Sequence, residues 1–285
     1  MKPPPFAYRD PATLGEALAL LAANVDARPL AGGQSLVPML NFRLVHPPMI
    51  VDLNRIGALA GIVIGADAAT IGAMTRQRDA ERDMELARTW PLIIEALRHV
   101  GHIQTRSRGT IGGSLAHNDP AAELPAVMLA LDATMSVQSA RGARKIASAD
   151  FFVSTLTTTL DPGELLVSID LPRPPRDAGF GFAELARRHG DFALAAAAVV
   201  VSRAGGGHAR IALTGMGDGP QRALKAEAAL VEGGFSDAAV AAAAAAVSAA
   251  VKPIDDLHAP AWYRTKVAGV MAARACRDAI ARMAS

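Results

Sequence analysis

Apolar positions first recur at helical spacing in Leu14, Ala17, Leu18 and Leu21, which share one face of a helix. Thr13 stands at its N-cap and Glu16, three residues on, completes a capping box. Residues 3–11 before it are proline-rich and extended. Met49 to Leu53 is a short apolar run that predicts a strand, and this α/β piece ends near Ala58. Ile62-Val63-Ile64 and Thr70 to Ala73 flank a Gly-Ala-Asp turn and predict a hairpin. A helix is expected over Glu81 to Arg88. A second starts after Thr89 with Pro91 in its first turn, buries Ile93, Ile94, Leu97 and Val100, and ends at Gly101. Asp119-Pro120 reads as a helix start, a capping residue followed by proline. Met135 to Gln138 and Lys145-Ile146 form a hairpin around Arg141-Gly142, and Glu164 to Leu171 is a strand stopped by Pro172.

Pro172-Arg173-Pro174-Pro175 marks a linker, and the pattern changes after it. Ala195 to Ser202 and Ala209 to Leu213 are strands separated by three glycines. Helices follow at 221–232, 236–250 and 260–282. This is a sheet with helices on one face, an α+β unit. The expected division is 1–58, 59–175 and 176–285.

Composition narrows the function. The chain has 285 residues, enough for two or three domains, and is 51% hydrophobic and 20% charged, as a globular protein is. The alanine run at 238–250 inflates the first figure and needs only the helix propensity of alanine. Net charge is +2 and no basic tract carries interleaved aromatics, so nucleic acid is not an expected partner. No apolar run approaches the roughly 20 residues that span a bilayer. The segment Met1 to Pro5 lacks the apolar core of a signal peptide, so the cytoplasm is the expected compartment. Cys276 is the one cysteine, so this chain alone holds no disulfide and no thiolate-ligated iron–sulfur cluster. The seven histidines show no HxH or HxxxH spacing, and no metal site is expected.

Two glycine-rich stretches carry the chemistry: Leu30-Ala31-Gly32-Gly33-Gln34-Ser35-Leu36 and Gly109-Thr110-Ile111-Gly112-Gly113-Ser114-Leu115. Glycine permits tight turns and close approach of a ligand to the main chain. Successive N–H groups in such turns make anion-binding nests, and hydroxyls add donors. Either stretch alone reads as a turn. Two of like chemistry suggest both sides of one diphosphate. A third cluster, Gly215 to Pro220, lacks the strand–helix context of a dinucleotide loop and reads as a turn.

The ordered motifs AGGQSLVPMLNFRL (31–44), VDLNRI (51–56), TRSRGTIGGSLAHNDPAAELPA (105–126), PGELLVSIDLP (162–172) and ELARRHGDFAL (184–194) resemble the FAD-binding medium subunits of molybdenum hydroxylases. The resemblance continues through ARIALTGMGDGPQRALKAEAAL (209–230) and WYRTKVAGVMAARA (262–275). It implies the two-lobed FAD-binding fold of the vanillyl-alcohol oxidase and p-cresol methylhydroxylase type, followed by a C-terminal α+β domain. By that resemblance the main-chain N–H groups of Ala31, Gly32, Gly33, Gln34, Ser35 and Leu36, with the Ser35 hydroxyl, hold the FAD diphosphate. Thr110, Ile111, Gly112, Gly113 and Ser114 complete the cradle. Glu123 falls where relatives place an acid near the FAD ribose; it reads equally as a first-turn acid favoured by the helix dipole. Leu166 matches a residue packing on the cofactor, and Phe192 one near the flavin ring; each also reads as plain core. Gln34 replaces a histidine of many relatives, which removes a titratable group. His117 beside Asp119 reads as a loop histidine and a cap rather than an acid–base pair, and no catalytic residue is assigned.

The function so implied is electron transfer. FAD on this chain takes electrons from the [2Fe–2S] clusters of a small subunit. A large subunit carries the molybdenum cofactor, and the whole is a dimer of heterotrimers. A free-standing FAD-dependent alcohol or phenol oxidase of the same fold is the alternative.

Overall fold

The computed structural model describes residues 2–284. The chain builds three sheets of differing construction, with a two-stranded ribbon beside them.

The first is a three-stranded parallel sheet with Met49–Asp52 between Ala7–Arg9 and Arg28–Leu30. Parallel strands need crossover connections. The helix Leu14–Ala23 is one, capped as expected: the Thr13 hydroxyl accepts from the Glu16 N–H, and the Glu16 carboxylate accepts from the Thr13 N–H. Ala17, Leu18 and Leu21 bury against Val51 and Leu53. Val37-Pro38-Met39-Leu40 lies in a short helix, Leu36–Asn41.

The second sheet has five antiparallel strands: Ile62–Ile64, Ala68–Gly72, Leu165–Pro172, Thr134–Ser139 and Gly142–Ala147, in that spatial order. Both hairpins expected here are present. The intervening helices cover the sheet, with Trp90, Leu92, Ile93, Leu97, Ile111 and Leu115 in one core.

Several expectations fail locally, each for a physical reason. The helix over Glu81 to Arg88 is two, Gln77–Arg82 and Met84–Thr89. Asp83 breaks it by capping the second, its carboxylate accepting from the Glu85 and Leu86 N–H groups. The helix begun by Pro91 stops at Leu97, before Gly101. Asp119-Pro120 starts no helix: the Asp119 carboxylate accepts from Ala121 N–H to close a turn, and the helix runs over Glu123–Ala130. The second glycine stretch is no loop but the helix Ile111–His117, whose N-cap is Thr110.

The third sheet orders Gly179–Ala186, Ala193–Ser202, His208–Thr214 and Gln221–Arg222. Its first strand carries no alternation that distinguished it in sequence. Residues 221–222, expected as helix, are strand, and the helix begins at Leu224. Helices Leu224–Glu232, Asp237–Ala250 and Ala261–Ala281 cover one face. The other face packs on Glu123–Ala130, so Ala196, Ala198 and Val200 share a core with the second sheet.

Small residues set the distance between the last helix and the third sheet. A Cβ on Gly181 would stand 2.1 Å from the Ala275 carbonyl oxygen. Gly15, by contrast, sits inside a helix with nothing within 4 Å of such a Cβ. Gly181→Ala is expected to destabilise the chain by about 1–3 kcal/mol through overpacking. Gly15→Ala is expected to stabilise it by roughly 0.5–1 kcal/mol. Denaturant melts of the two variants, read against the parent, test the pair of opposite signs.

Candidate cofactor site

The two glycine stretches, some eighty residues apart in sequence, touch. Gly32 lies so close to the second stretch that a Cβ there would stand 2.4 Å from the Arg108 carbonyl oxygen and 2.7 Å from Gly109 Cα. A Cβ on Gly113 would stand 3.3 Å from the Ala31 methyl. Gly112 rests on Ala73 in the same way, its would-be Cβ 2.4 Å from that methyl. Gly33 has φ +75°, the left-handed region that glycine adopts freely.

A polar chain pins this junction. Asn54, on the turn after Met49–Asp52, donates from Nδ2 to the Ala31 carbonyl at 2.9 Å and to Asp52 Oδ1. Tyr8 donates its hydroxyl to Asp52 Oδ2 at 2.6 Å. That bond, together with burial and the nearby Asp52 charge, pushes the phenol up to about 12. Arg76 reaches back from the second lobe, donating to Asn54 Oδ1 and to the Arg108 carbonyl. The carbonyls just before each glycine contact, those of Ala31 and Arg108, are therefore both held. Sequence reasoning gave Asn54 and Arg76 no role, although VDLNRI contains the first.

The two stretches offer a ligand different groups. Among the described residues, the N–H groups of Gly32, Gly33, Gln34, Ser35 and Leu36 take no acceptor within the chain. Ser35 stands at the N-cap of the helix Leu36–Asn41 without a capping bond, so its hydroxyl is free as well. Gln34 is exposed and donates to the Gly32 carbonyl at 3.2 Å. The second stretch has spent most of its main-chain donors. Ile111 donates to the Thr75 carbonyl, Gly112 to Ala73, and Gly113 to the Thr110 hydroxyl oxygen at 3.0 Å. What remains there are the Thr110 N–H and the Thr110 and Ser114 O–H groups. Five unpartnered N–H groups beside a glycine-tightened turn suit a dianionic group such as a diphosphate.

Glu123, Leu166 and Phe192 come from three other elements. Leu166 is buried beside a bulge in the strand Leu165–Pro172. Phe192 is 67% exposed, on the turn before Ala193–Ser202, and is not core. His117 is half-buried, and desolvation lowers its pKa against the pull of Asp119. Glu123, the first residue of its helix, is 7% exposed. Burial, then the charge of Glu184, pushes its carboxyl up to about 8. Among the described residues it forms no ion pair. Sequence reasoning left Glu184 without a role. No group of residues able to hold a metal ion occurs among the described residues.

Residues 4–174 match the model of the FAD binding domain in molybdopterin dehydrogenase, and residues 180–279 match the CO dehydrogenase flavoprotein C-terminal domain. The chain is 42% identical to the 6-hydroxypseudooxynicotine dehydrogenase complex subunit alpha of Paenarthrobacter nicotinovorans, across 99% of this chain and 97% of that one. It is 41% identical to the carbon monoxide dehydrogenase medium chain of Afipia carboxidovorans, across 99% of both. A solved structure of carbon monoxide dehydrogenase from Hydrogenophaga pseudoflava superposes with a TM-score of 0.96 at 40% identity, over the full length of both chains.

Two outcomes check the site. Gly32→Ala must push apart two main-chain segments, so it is expected to cost about 1–3 kcal/mol and to lower the FAD content of the purified chain. Gly57→Ala, with open space around its Cβ, is the control; equal FAD loss in both would contradict the role given to Gly32. The second outcome concerns pH. Glu123 binds its proton more tightly folded than unfolded, so its contribution to stability is full below the unfolded value near 4.5 and is lost as pH rises through about 8. Thermal melts of the FAD-free chain between pH 5 and 8 are expected to show that fall, and Glu123→Gln to reduce it.

Proposed function

The chain belongs to the family of FAD-binding subunits of molybdopterin dehydrogenases, and we propose that it is the electron-transfer subunit of a heterotrimeric molybdenum hydroxylase. The row of free N–H donors at Gly32 to Leu36, fixed against the second lobe, carries this reading. Bound FAD supplies redox chemistry that no side chain can, and the protein's part is binding, orientation and electrostatics. The three-part division at 1–58, 59–175 and 176–285 is part of the proposal, the first two parts clasping FAD and the third closing the seam.

In this reading Ala31 to Leu36 hold the diphosphate through main-chain N–H groups and the Ser35 hydroxyl. Thr110, Ile111, Gly112, Gly113 and Ser114 shape the opposite wall, with the Thr110 and Ser114 hydroxyls as its donors. Glu123 meets the ribose hydroxyls. Leu166 and Phe192 border the flavin ring, and the exposure of Phe192 leaves it free to cover an incoming ring. The clusters that deliver electrons belong to a small subunit, because one buried cysteine cannot ligate them. The molybdenum cofactor belongs to a large subunit. The assembly is a dimer of heterotrimers in the cytoplasm. No helix among the described residues is long and apolar enough to cross a membrane.

The purified chain is expected to carry one FAD, judged by visible absorbance, and to co-purify with a thiolate-rich small chain and a molybdenum-containing chain. Within that complex the flavin is expected to bleach on addition of the complex's substrate. A chain that binds no flavin overturns the reading. An isolated chain that oxidises alcohols or phenols unaided would replace it with the free-standing oxidase.

A further inference from the structure

The helices that cover the third sheet carry on their outer side a basic groove that the cofactor site does not use. It runs between Asp237–Ala250 and Ala261–Ala281. These helices pack on the face of the sheet that bears Ala195, Ala197 and Val199, opposite the face that meets Glu123–Ala130. They meet closely: a Cβ on Gly269 would stand 2.4 Å from Ser248 Oγ and 2.9 Å from the Ala244 carbonyl oxygen. Above this contact the groove holds about 390 Å³.

Its two walls differ in chemistry. Asp237–Ala250 buries Ala239, Val240, Ala243 and Val247 and turns Ala241, Ala242, Ala245 and Ala249 outward. The outer face of a surface helix ordinarily carries charged residues. This helix has one charge, Asp237, in its first turn. The other wall is cationic. Lys266, Val270, Arg274 and Arg277 line the groove at spacings of four, four and three, along one stripe of Ala261–Ala281. Trp262 stands one turn before Lys266 on the same stripe and is 68% exposed.

The cations of this stripe are uncommitted. Arg264, on the buried side of the same helix, is paired with Asp256, and Arg282 beyond its end with Glu95. Among the described residues Lys266, Arg274 and Arg277 form no ion pair. Asp278 is the one acid in the helix.

An apolar floor of small residues with cations along one rim fits a helix that bears carboxylates along one side. Lys266 and Arg274 are about 12 Å apart along the helix axis, and Lys266 and Arg277 about 16 Å, so the carboxylates must span two to three turns. Trp and Arg are the residue types that carry most binding energy at interfaces. A second copy of this chain docked by the same face would set cations against cations. A bilayer takes up protruding large apolar side chains, whereas this floor is recessed alanine. Single-stranded nucleic acid needs a row of stacking aromatics, and Trp262 stands alone on the stripe.

We propose that this groove is a docking surface for an acidic amphipathic helix of a partner protein. Trp262 anchors one end, and Lys266, Arg274 and Arg277 pair with the partner's carboxylates. The proposal is independent of the FAD-binding reading, because the groove and Glu123–Ala130 lie on opposite faces of the third sheet.

The probe is a synthetic helical peptide of about 20 residues, with glutamates along one stripe and alanine and leucine beside them, titrated into the full-length chain. The readout is acrylamide quenching of tryptophan fluorescence. The chain has two tryptophans and Trp90 is 0% exposed, so the quencher reads Trp262. The peptide is expected to shield Trp262, and to bind about tenfold more weakly at 0.5 M than at 0.05 M salt. Arg274→Glu with Arg277→Glu is expected to weaken binding by at least about tenfold and to accept instead a peptide with lysines in place of the glutamates. On the parent alone, a peptide with glutamines in those places is expected to bind about tenfold more weakly, a comparison that holds even where the variant fails to fold. The proposal is overturned by a glutamate peptide that leaves Trp262 unshielded, by equal binding of the glutamate and glutamine peptides, or by tighter binding to phosphatidylserine vesicles or duplex DNA than to the peptide.

Discussion

The contact on which the site depends is the main-chain approach of Gly32 to Arg108 and Gly109. It joins a loop of the parallel sheet to the helix-rich part of the antiparallel one, and no side chain can occupy it. Because Asn54 and Arg76 hold the carbonyls on either side, the approach is fixed by polar bonds as well as by sterics. Preorganised donors bind an anion without the cost of ordering a loop at the moment of binding. The N–H groups of Gly32 to Leu36 are donors of that kind, left unpartnered by a turn that has spent none of them internally.

The electrostatics of the site are divided along its length. One end offers neutral N–H dipoles and hydroxyls. The other holds Glu123, buried and without an ion pair among the described residues. A cofactor with a diphosphate at its centre and sugar hydroxyls beside it matches the first end by charge and the second by hydrogen bonding.

Much of this was legible in the sequence, and what was not follows a rule. The capping box at Thr13 and Glu16 and the hairpin around Arg141-Gly142 were readable because their signals are local. The convergence of the two glycine stretches was readable only as a chemical likeness between distant segments. The misread elements were those settled by tertiary partners. Gly109 to Leu115 looks like a loop by its glycines, yet Thr110 caps a helix there, and Gly112 is small because Ala73 lies against it. Asp119-Pro120 has the residues of a helix start, but the Asp119 carboxylate closes a turn instead. Asn54 and Arg76 left no mark, because their roles are made by residues more than twenty positions away.

The C-terminal domain belongs to the site rather than trailing behind it. Thr214 donates or shares its hydroxyl with the carbonyls of Pro120 and Ala122, both at 2.9 Å, which fixes the turn leading into Glu123. Buried Arg264 donates to the carbonyls of Leu194 and Gly215 and is anchored by Asp256, so the strand that follows Phe192 and the turn that follows Thr214 share one cation. Through these bonds the position of Glu123, the base of the Phe192 turn and the strand pair that carries Glu184 are held as one body. A change in how the last helix packs on its sheet would therefore reach the cofactor end of the molecule. Gly179 and Gly181, which leave no room for a Cβ against that helix, are on this argument as much a part of the site's construction as the glycines of the two stretches that meet at Gly32.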